Sequence, residues 1–187
     1  MEDFIAGRYE TGNISSEIPV VRRMNSTISS VSWYNVYPRM KNISTNENIQ
    51  TSMIWGSLFD ETLEWIIETG DKARVEVSTD STSWGNYSNS TFKYYNSNGA
   101  LTQTRNYGSG SSYRLPTGST ERNSANNVYD LCGNVCDWTL EVDGSYNRYL
   151  RGGYSNGYGT SYPAQYRVSS SPYSSGSIGF RAYFYIK

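Results

Sequence analysis

The most consequential absence in this sequence is histidine, which does not occur at all. Its absence excludes histidine-based catalytic triads, the usual general base near neutral pH and the commonest zinc ligand. The only cysteines, Cys132 and Cys136, have no histidine or further cysteine with which to complete a zinc site. We expect them to be two small buried residues; a strained local disulfide or a reactive thiol is the alternative.

Concentrated positive charge and long apolar runs are also missing. The formal net charge is −1, and the densest basic cluster is only Arg22-Arg23, so we expect no nucleic-acid binding. No apolar run reaches the length of a bilayer, so we expect no membrane insertion. The first residues lack the pattern of a secretory signal. Localisation therefore stays open, with a phage particle or a bacterial surface as candidates if residues precede Met1.

The sequence is poor in apolar residues but rich in aromatic ones. Hydrophobic residues make up 36%, whereas aromatics reach 15% and include 18 tyrosines and 5 tryptophans. Disordered chains are poor in aromatics, so this composition indicates a folded protein with a few aromatic anchors inside a polar, loop-rich shell. A chain of 187 residues is long enough to bury such a core, and we expect residues 1–187 to form one domain.

Local patterns predict two helices and a strand near each terminus. Residues 4–10 and 180–186 are typical of strands, and their positions suggest that the two pair. Ser32 is a candidate N-cap for a short helix that Pro38 would disturb. A longer helix is predicted over 57–70, with Ser57 as its cap and Gly70 just after its end. Its apolar residues recur at helical spacing and predict a core-facing stripe of Phe59, Leu63, Ile66 and Ile67.

Three segments resemble the signature of the formylglycine-generating-enzyme-like (sulfatase-modifying factor) family. Residues 127–139 read N-V-Y-D-L-C-G-N-V-C-D-W-T, against a family pattern of N-x-Y-D-M-x-G-N-V-W-E-W-T. The Arg-Gly-Gly of residues 151–153 and the Gly-Phe-Arg of residues 179–181 match two further family elements in order. The resemblance implies an α+β fold of the C-type-lectin type: a small twisted antiparallel sheet, two helices, paired termini and extensive loops. We expect Trp138 to anchor the core, and Arg151 and Arg181 to hold loops.

The same resemblance argues against family catalysis. Catalytic members use a cysteine pair, together with copper, between the Arg-Gly-Gly and Gly-Phe-Arg elements, and this interval contains no cysteine here. We therefore expect no catalytic residue and no copper. The chain departs from the pattern at Cys136, where the family has Trp, and at Tyr154, where it has Ser. An oxidoreductase that recruits other residues, and a structural lectin-fold module of a larger assembly, are the alternatives.

A calcium site is the cofactor that the resemblance implies. The family holds Ca²⁺ around the Gly-Asn-Val loop, and the matching positions are the side chains of Asp130 and Asp137 and the carbonyls of Gly133 and Val135. Oxygen ligands of this kind suit Ca²⁺. Alternatively, the two aspartates only cap turns by accepting hydrogen bonds from nearby N–H groups.

Residues 154–177, within a region of about 149–180, are dominated by tyrosine, serine and glycine and fit neither helical nor strand periodicity. Antibody combining sites use the same residues, because tyrosine offers large contact area at low entropic cost while serine and glycine adapt. Residues 81–113 are similar in composition, so an ordinary polar loop is the alternative. The position between two family motifs resembles the variable proteins of diversity-generating retroelements, in which mutagenesis rewrites a lectin-fold surface. We therefore predict a hypervariable face that binds a protein or glycan ligand, for instance on a cell surface, through Tyr154, Ser155, Tyr158, Ser161, Tyr162, Tyr166, Ser169, Ser170, Tyr173 and Ser175.

Overall fold

The computed structural model describes residues 4–12, 19–44, 46–96, 98–101, 103–105, 114–173 and 176–186. Its helices are α1 (Trp33–Met40), α2 (Gly56–Glu68), α3 (Arg74–Ser78) and a 3-10 turn (Glu121–Asn123). Its strands are β1 (Phe4–Ala6), β2 (Ile49–Ser52), β3 (Phe92–Tyr94), β4 (Gln103–Arg105), β5 (Ser124–Ala125), β6 (Val128–Tyr129), β7 (Cys136–Asp143), β8 (Asn147–Arg151), β9 (Arg167–Ser170), β10 (Ile178–Gly179) and β11 (Tyr183–Ile186).

The first and last strands pair, as the sequence predicts. A three-stranded antiparallel sheet has the order β1-β11-β2, with Ala6 opposite Tyr183. Beyond this pair, Gly7 N donates to Ala182 O at 2.8 Å. A Cβ atom at Gly7 would lie only 2.6 Å from that same oxygen, so the close approach of the two chain ends requires glycine. Both strands are shorter than the predicted ranges of 4–10 and 180–186.

A four-stranded sheet with the order β10-β7-β8-β9 carries the second half of the fold. Strands β7, β8 and β9 are antiparallel, whereas β10 runs parallel to β7, so this sheet is mixed rather than purely antiparallel. One face is apolar, because Cys136, Trp138, Leu150, Val168 and Ile178 all belong to one core cluster. The remaining described strands form two small pairs, β3-β4 and β5-β6.

The helices follow the sequence predictions with two differences. Ser32 caps α1 as predicted: its Oγ accepts a hydrogen bond from Asn35 N at 3.3 Å. Helix α2 begins at Gly56 with Trp55 as N-cap, so the prediction of a Ser57 cap is wrong; Gly70, at φ 77°, follows the helix end as predicted. The five-residue α3 is a third helix that the resemblance does not include. In the part of the chain that the structure describes, no helix is long and apolar enough to cross a bilayer.

Trp138 anchors the core and joins the four-stranded sheet to α1. Its side chain is fully buried, and its indole N–H donates to Val31 O at 2.8 Å. In return, the indole N–H of Trp33 on α1 donates to Thr139 O, also at 2.8 Å. The predicted stripe of α2 packs in the second core cluster: Phe59, Leu63 and Ile66 are buried there, and Ile67 lies half-buried against it.

Arg181 is a fully buried charge that ties distant segments together. Its guanidinium donates to Gly7 O at 2.8 Å, Tyr129 O at 2.7 Å and Asp130 O at 3.1 Å, and its Nε lies 3.4 Å from Asp137 Oδ2. Arg151, also buried, pairs with Asp60. Arg181 therefore holds loops by bonding carbonyls and a carboxylate, as predicted, whereas Arg151 joins strand β8 to helix α2 rather than holding a loop.

We predict that Arg181→Met lowers the free energy of unfolding at neutral pH by about 3–5 kcal/mol, because it leaves buried carboxylates without their cation. Urea denaturation measures the loss, and Arg22→Met, at an exposed arginine, is the control. An effect no larger than that of the control would contradict this role of Arg181.

The loss should shrink as the pH falls. Burial raises the pKa of Asp137 to about 6 and that of Glu10 well above its usual value. A carboxyl group with a raised folded-state pKa contributes stability below its unfolded-state pKa and loses it as the pH rises through the folded-state value. Near pH 5 the carboxyl group of Asp137 is largely protonated and needs the cation less, so the variant can be compared there if it does not fold at neutral pH.

Candidate ligand-binding face

The chain leaves the four-stranded sheet at Gly152 and Gly153, immediately after β8. Both residues have positive φ angles, 88° and 74°. A Cβ atom at Gly153 would lie 2.3 Å from Tyr162 O, and one at Gly152 would lie 2.7 Å from Leu131 O. Only glycine at these two positions therefore lets the following segment fold back this closely.

Backbone hydrogen bonds fix the segment along its whole described length. Ser155 N donates to Asn134 O at 3.1 Å, which joins it to the 127–139 motif. Gly157 O accepts from Ser88 N at 2.9 Å, so the next turn rests on the Ser/Tyr-rich residues 81–90. Strand β9 then pairs with β8, and Pro172 O accepts from Trp33 N of α1 at 2.8 Å. The segment is thus an irregular but supported surface.

Three of the predicted binding tyrosines pack on one another. The rings of Tyr154 and Tyr162 lie 4.6 Å apart, and those of Tyr162 and Tyr166 lie 4.9 Å apart, edge to face. All three are only half-exposed, and burial raises the pKa of Tyr154. Tyr87 Oη donates to Tyr162 O at 2.7 Å from beneath. These tyrosines mainly build the segment, and a ligand can reach only their outer edges.

Tyr158 and Tyr173 are the predicted tyrosines that face solvent, with exposed fractions of 49% and 64%. Tyr173 belongs to a patch that the sequence did not reveal, because the ring of Tyr34 on α1 lies 5.2 Å away and that of Tyr146 lies 6.2 Å away. These two tyrosines come from outside the segment, and nothing in their local sequence distinguishes them from the other tyrosines.

The predicted serines differ in their accessibility. Ser155 is fully buried and cannot contact a ligand on the outer surface, which corrects that part of the prediction. Ser155 is buried because the turn at Gly152-Gly153 brings it against Asn134, whose carbonyl oxygen accepts a hydrogen bond from Ser155 N. Ser161 is exposed, and Ser169 and Ser170 lie half-buried on β9. Ser175 lies outside the described residues.

Beside Tyr154 lies an open cavity of about 530 Å³. Each strand of the four-stranded sheet contributes one residue to its floor: Ile178 from β10, Cys136 from β7, Leu150 from β8 and Val168 from β9. Cys136 is the position at which the chain departs from the family pattern by having cysteine in place of tryptophan. A small side chain there leaves the floor of this cavity open.

Both cysteines are free, buried thiols, as predicted. Burial raises the pKa of Cys132 and of Cys136, so neither forms a thiolate readily. A Cβ atom at Gly85 would lie 2.8 Å from the sulfur of Cys132, which is therefore covered by the 81–90 segment.

The two aspartates assigned to calcium lie in one buried, charged cluster with Glu10 and Arg181. Burial raises the pKa of Asp130, although its Oδ2 accepts hydrogen bonds from Gly118 N at 2.8 Å and Thr117 Oγ1 at 3.0 Å. Asp137 Oδ2 faces the Arg181 guanidinium, and its Oδ1 is buried with no hydrogen-bond partner among the residues that the structure describes.

This arrangement does not fit a calcium ion. Ca²⁺ takes roughly six to eight oxygen ligands, whereas donors already occupy one oxygen of each aspartate and a guanidinium compensates their charge. The described residues also include no group of three or more acidic or cysteine side chains able to hold a metal ion. The assignment of the Gly133 and Val135 carbonyls and the two aspartates to a calcium site therefore rests on the family resemblance alone.

Comparisons with known proteins place the fold. No family model and no curated protein matches the chain. Among solved structures it resembles variable protein 1 of Treponema denticola, with a TM-score of 0.56, 13% identity, and coverage of 96% of this chain and 84% of that one. It also resembles CarF, with a TM-score of 0.59, 13% identity, and coverage of 98% and 87%. PvdO from Pseudomonas aeruginosa has a TM-score of 0.59, 16% identity, and coverage of 98% and 80%. The chain therefore has the predicted α+β fold of the C-type-lectin type.

We predict that calcium does not stabilise the protein. A site filled at a hundred times its Kd would raise the free energy of unfolding by about 2.7 kcal/mol, which a thermal melt detects. We expect equal Tm values in EDTA and in excess calcium, with magnesium as the control for ionic strength. A saturable rise in Tm that calcium alone produces, and that Asp137→Asn abolishes, would establish the site instead.

Proposed function

We propose that this protein is a non-catalytic ligand-binding protein that displays a variable tyrosine- and serine-rich surface on a C-type-lectin-type fold. The observation that carries the proposal is the exposure of Tyr158 and Tyr173 on a segment fixed by backbone bonds to β8, α1 and residues 81–90. A fixed backbone presents large amphipathic side chains at little entropic cost on binding. The ligand is a protein or a glycan, for instance on a cell surface.

The build of the segment also supports a variable surface. Many of its supporting contacts are backbone hydrogen bonds, which do not depend on the side chain that each residue carries. The exposed Tyr158 and Tyr173 lie outside the packed group of Tyr154, Tyr162 and Tyr166. The likeness to a protein named variable protein 1 agrees with this interpretation. We therefore propose that the chain is a target of a diversity-generating retroelement and serves recognition on a phage particle or a bacterial surface.

The chemistry of the site supports a non-catalytic role. Residues 154–177 contain neither cysteine nor histidine. The two thiols elsewhere are buried, and their raised pKa disfavours the thiolate that oxidative chemistry of the formylglycine-generating type requires. Binding through such a surface should rest on apolar contact and hydrogen bonds, and should depend only weakly on salt.

We predict that the double variant Tyr158→Ala/Tyr173→Ala loses most of the affinity for ligands selected without bias. Binders are selected on the immobilised wild-type protein from a random peptide phage library and from a glycan array. Removing two exposed aromatic contacts should weaken them by at least about 2 kcal/mol, or roughly thirtyfold, measured by surface plasmon resonance.

Trp65→Ala is the matched control, because it removes an exposed aromatic side chain from α2. Both tyrosines are exposed, so the double variant should keep the wild-type Tm. Selected binders that ignore the double variant but respond to Trp65→Ala would overturn the assignment of the binding face.

The retroelement part of the proposal makes a prediction about the neighbouring DNA. We expect a near-copy of the codons for residues 149–187, differing mainly at adenines, beside a reverse-transcriptase gene. Sequencing the locus and its siblings tests this directly. Sibling sequences with no excess variation between residues 154 and 177 would instead favour a structural lectin-fold module.

A further inference from the structure

The cavity beside Tyr154 combines an apolar floor with a polar rim. Leu150, Val168 and Ile178 supply the apolar floor together with the small side chain of Cys136. At about 530 Å³ the cavity falls within the range of small-ligand sites. Its shape and chemistry therefore suit a group that has an apolar body and a polar end.

Polar groups at the rim are held by a small hydrogen-bond network. Ser30 Oγ donates to Gly176 O at 2.9 Å and accepts from Gly176 N at 3.3 Å. Asn156, exposed at the same rim, adds an amide group. The hydrogen bonds between residues 30 and 176 thus fix the backbone on one side of the opening.

Arg114 gives the opening its charge. Among the described residues that line the cavity it is the one with a formal charge, and none of them is an aspartate or glutamate. The guanidinium is exposed, and its one described hydrogen bond is a long one of 3.4 Å from Nη1 to Gly176 O. In the described part of the chain Arg114 has no ion-pair partner, so most of its donors face the opening or solvent. An arginine fork of this kind matches the geometry of a carboxylate.

We propose that this cavity binds an apolar group that ends in a carboxylate, with the apolar part on the four-strand floor and the carboxylate at Arg114. The inference rests on the proposed function, because it names the ligand chemistry of the same face. The positive charge of Arg114 selects an anionic ligand, because a cation of the same shape would be repelled by Arg114 with no acidic side chain among the described lining residues to compensate.

The test uses N-acetyl-L-phenylalanine, with its neutral amide, N-acetyl-L-phenylalaninamide, as the matched probe. Each is titrated into the methyl-labelled protein, and the methyl signals of Leu150, Val168 and Ile178 are followed by NMR. We expect saturable shifts with the acid and binding at least about tenfold weaker with the amide, as loss of one charge-assisted contact predicts.

Three variants locate the binding. Arg114→Gln should weaken the acid at least about tenfold and bring it level with the amide. Arg22→Gln makes the same charge change at an exposed arginine outside the cavity and should leave the affinity unchanged. Cys136→Phe should fill the floor and abolish binding of both probes. Because this last residue is buried, Arg114→Gln carries the test if Cys136→Phe does not fold.

Equal binding of acid and amide, the same Kd in Arg114→Gln, or no shifts of the floor methyls would each overturn the inference. None of these results depends on Tyr158 or Tyr173, so the proposed function can stand when the carboxylate site fails. A pentapeptide Gly-Gly-Gly-Gly-Phe, free at its carboxyl end, separates two sources of the ligand. Binding as tight as that of the acetylated amino acid supports a peptide chain end, and much weaker binding supports a small-molecule acid.

Discussion

The guanidinium of Arg181 is the interaction on which much of the remaining structure depends. It bonds the carbonyl of Gly7 behind the first strand, two carbonyls at the start of the 127–139 motif, and the carboxylate of Asp137 on β7. One side chain from the approach to the last strand therefore fixes both chain ends and an inner strand of the four-stranded sheet. Because carbonyls and a carboxylate take up its donors, a charge this deeply buried is compatible with a stable fold.

Buried polar networks of this kind explain how a chain with few apolar residues can stabilise long irregular loops. Asn134 shows the principle: its amide accepts from Leu115 N at 2.9 Å and donates to the buried carboxylate of Glu10. Glu10 also accepts from Thr27 Oγ1 at 3.0 Å. Loops whose polar groups are satisfied internally need not be covered by helices, so one face of the sheet can carry an exposed segment.

The sequence predicted the features that depend on near neighbours or on short motifs. The Ser32 cap and the position of Gly70 follow from local backbone chemistry, and the roles of Trp138 and Arg181 follow from the family pattern. The Ser57 cap was wrong because the helix starts at Gly56, two residues before the start that a cap at Ser57 implies. Burial of Ser155 could not be predicted, since it results from contact with residues far away in the chain. The cavity was equally hidden, because its floor takes one residue from each of four strands and its charge comes from a fifth segment.

The division of the segment into inner and outer tyrosines bears on how such a surface can vary. The ring of Tyr162 contacts those of Tyr154 and Tyr166, so a change at one of these positions alters the packing of its neighbour. Tyr158 and Tyr173 have large exposed fractions, and residues there can change with little effect on the free energy of unfolding. Substitutions at the outer positions can therefore change the binding surface while leaving the fold intact. Substitutions at the inner positions change the packing of the segment as well as its surface.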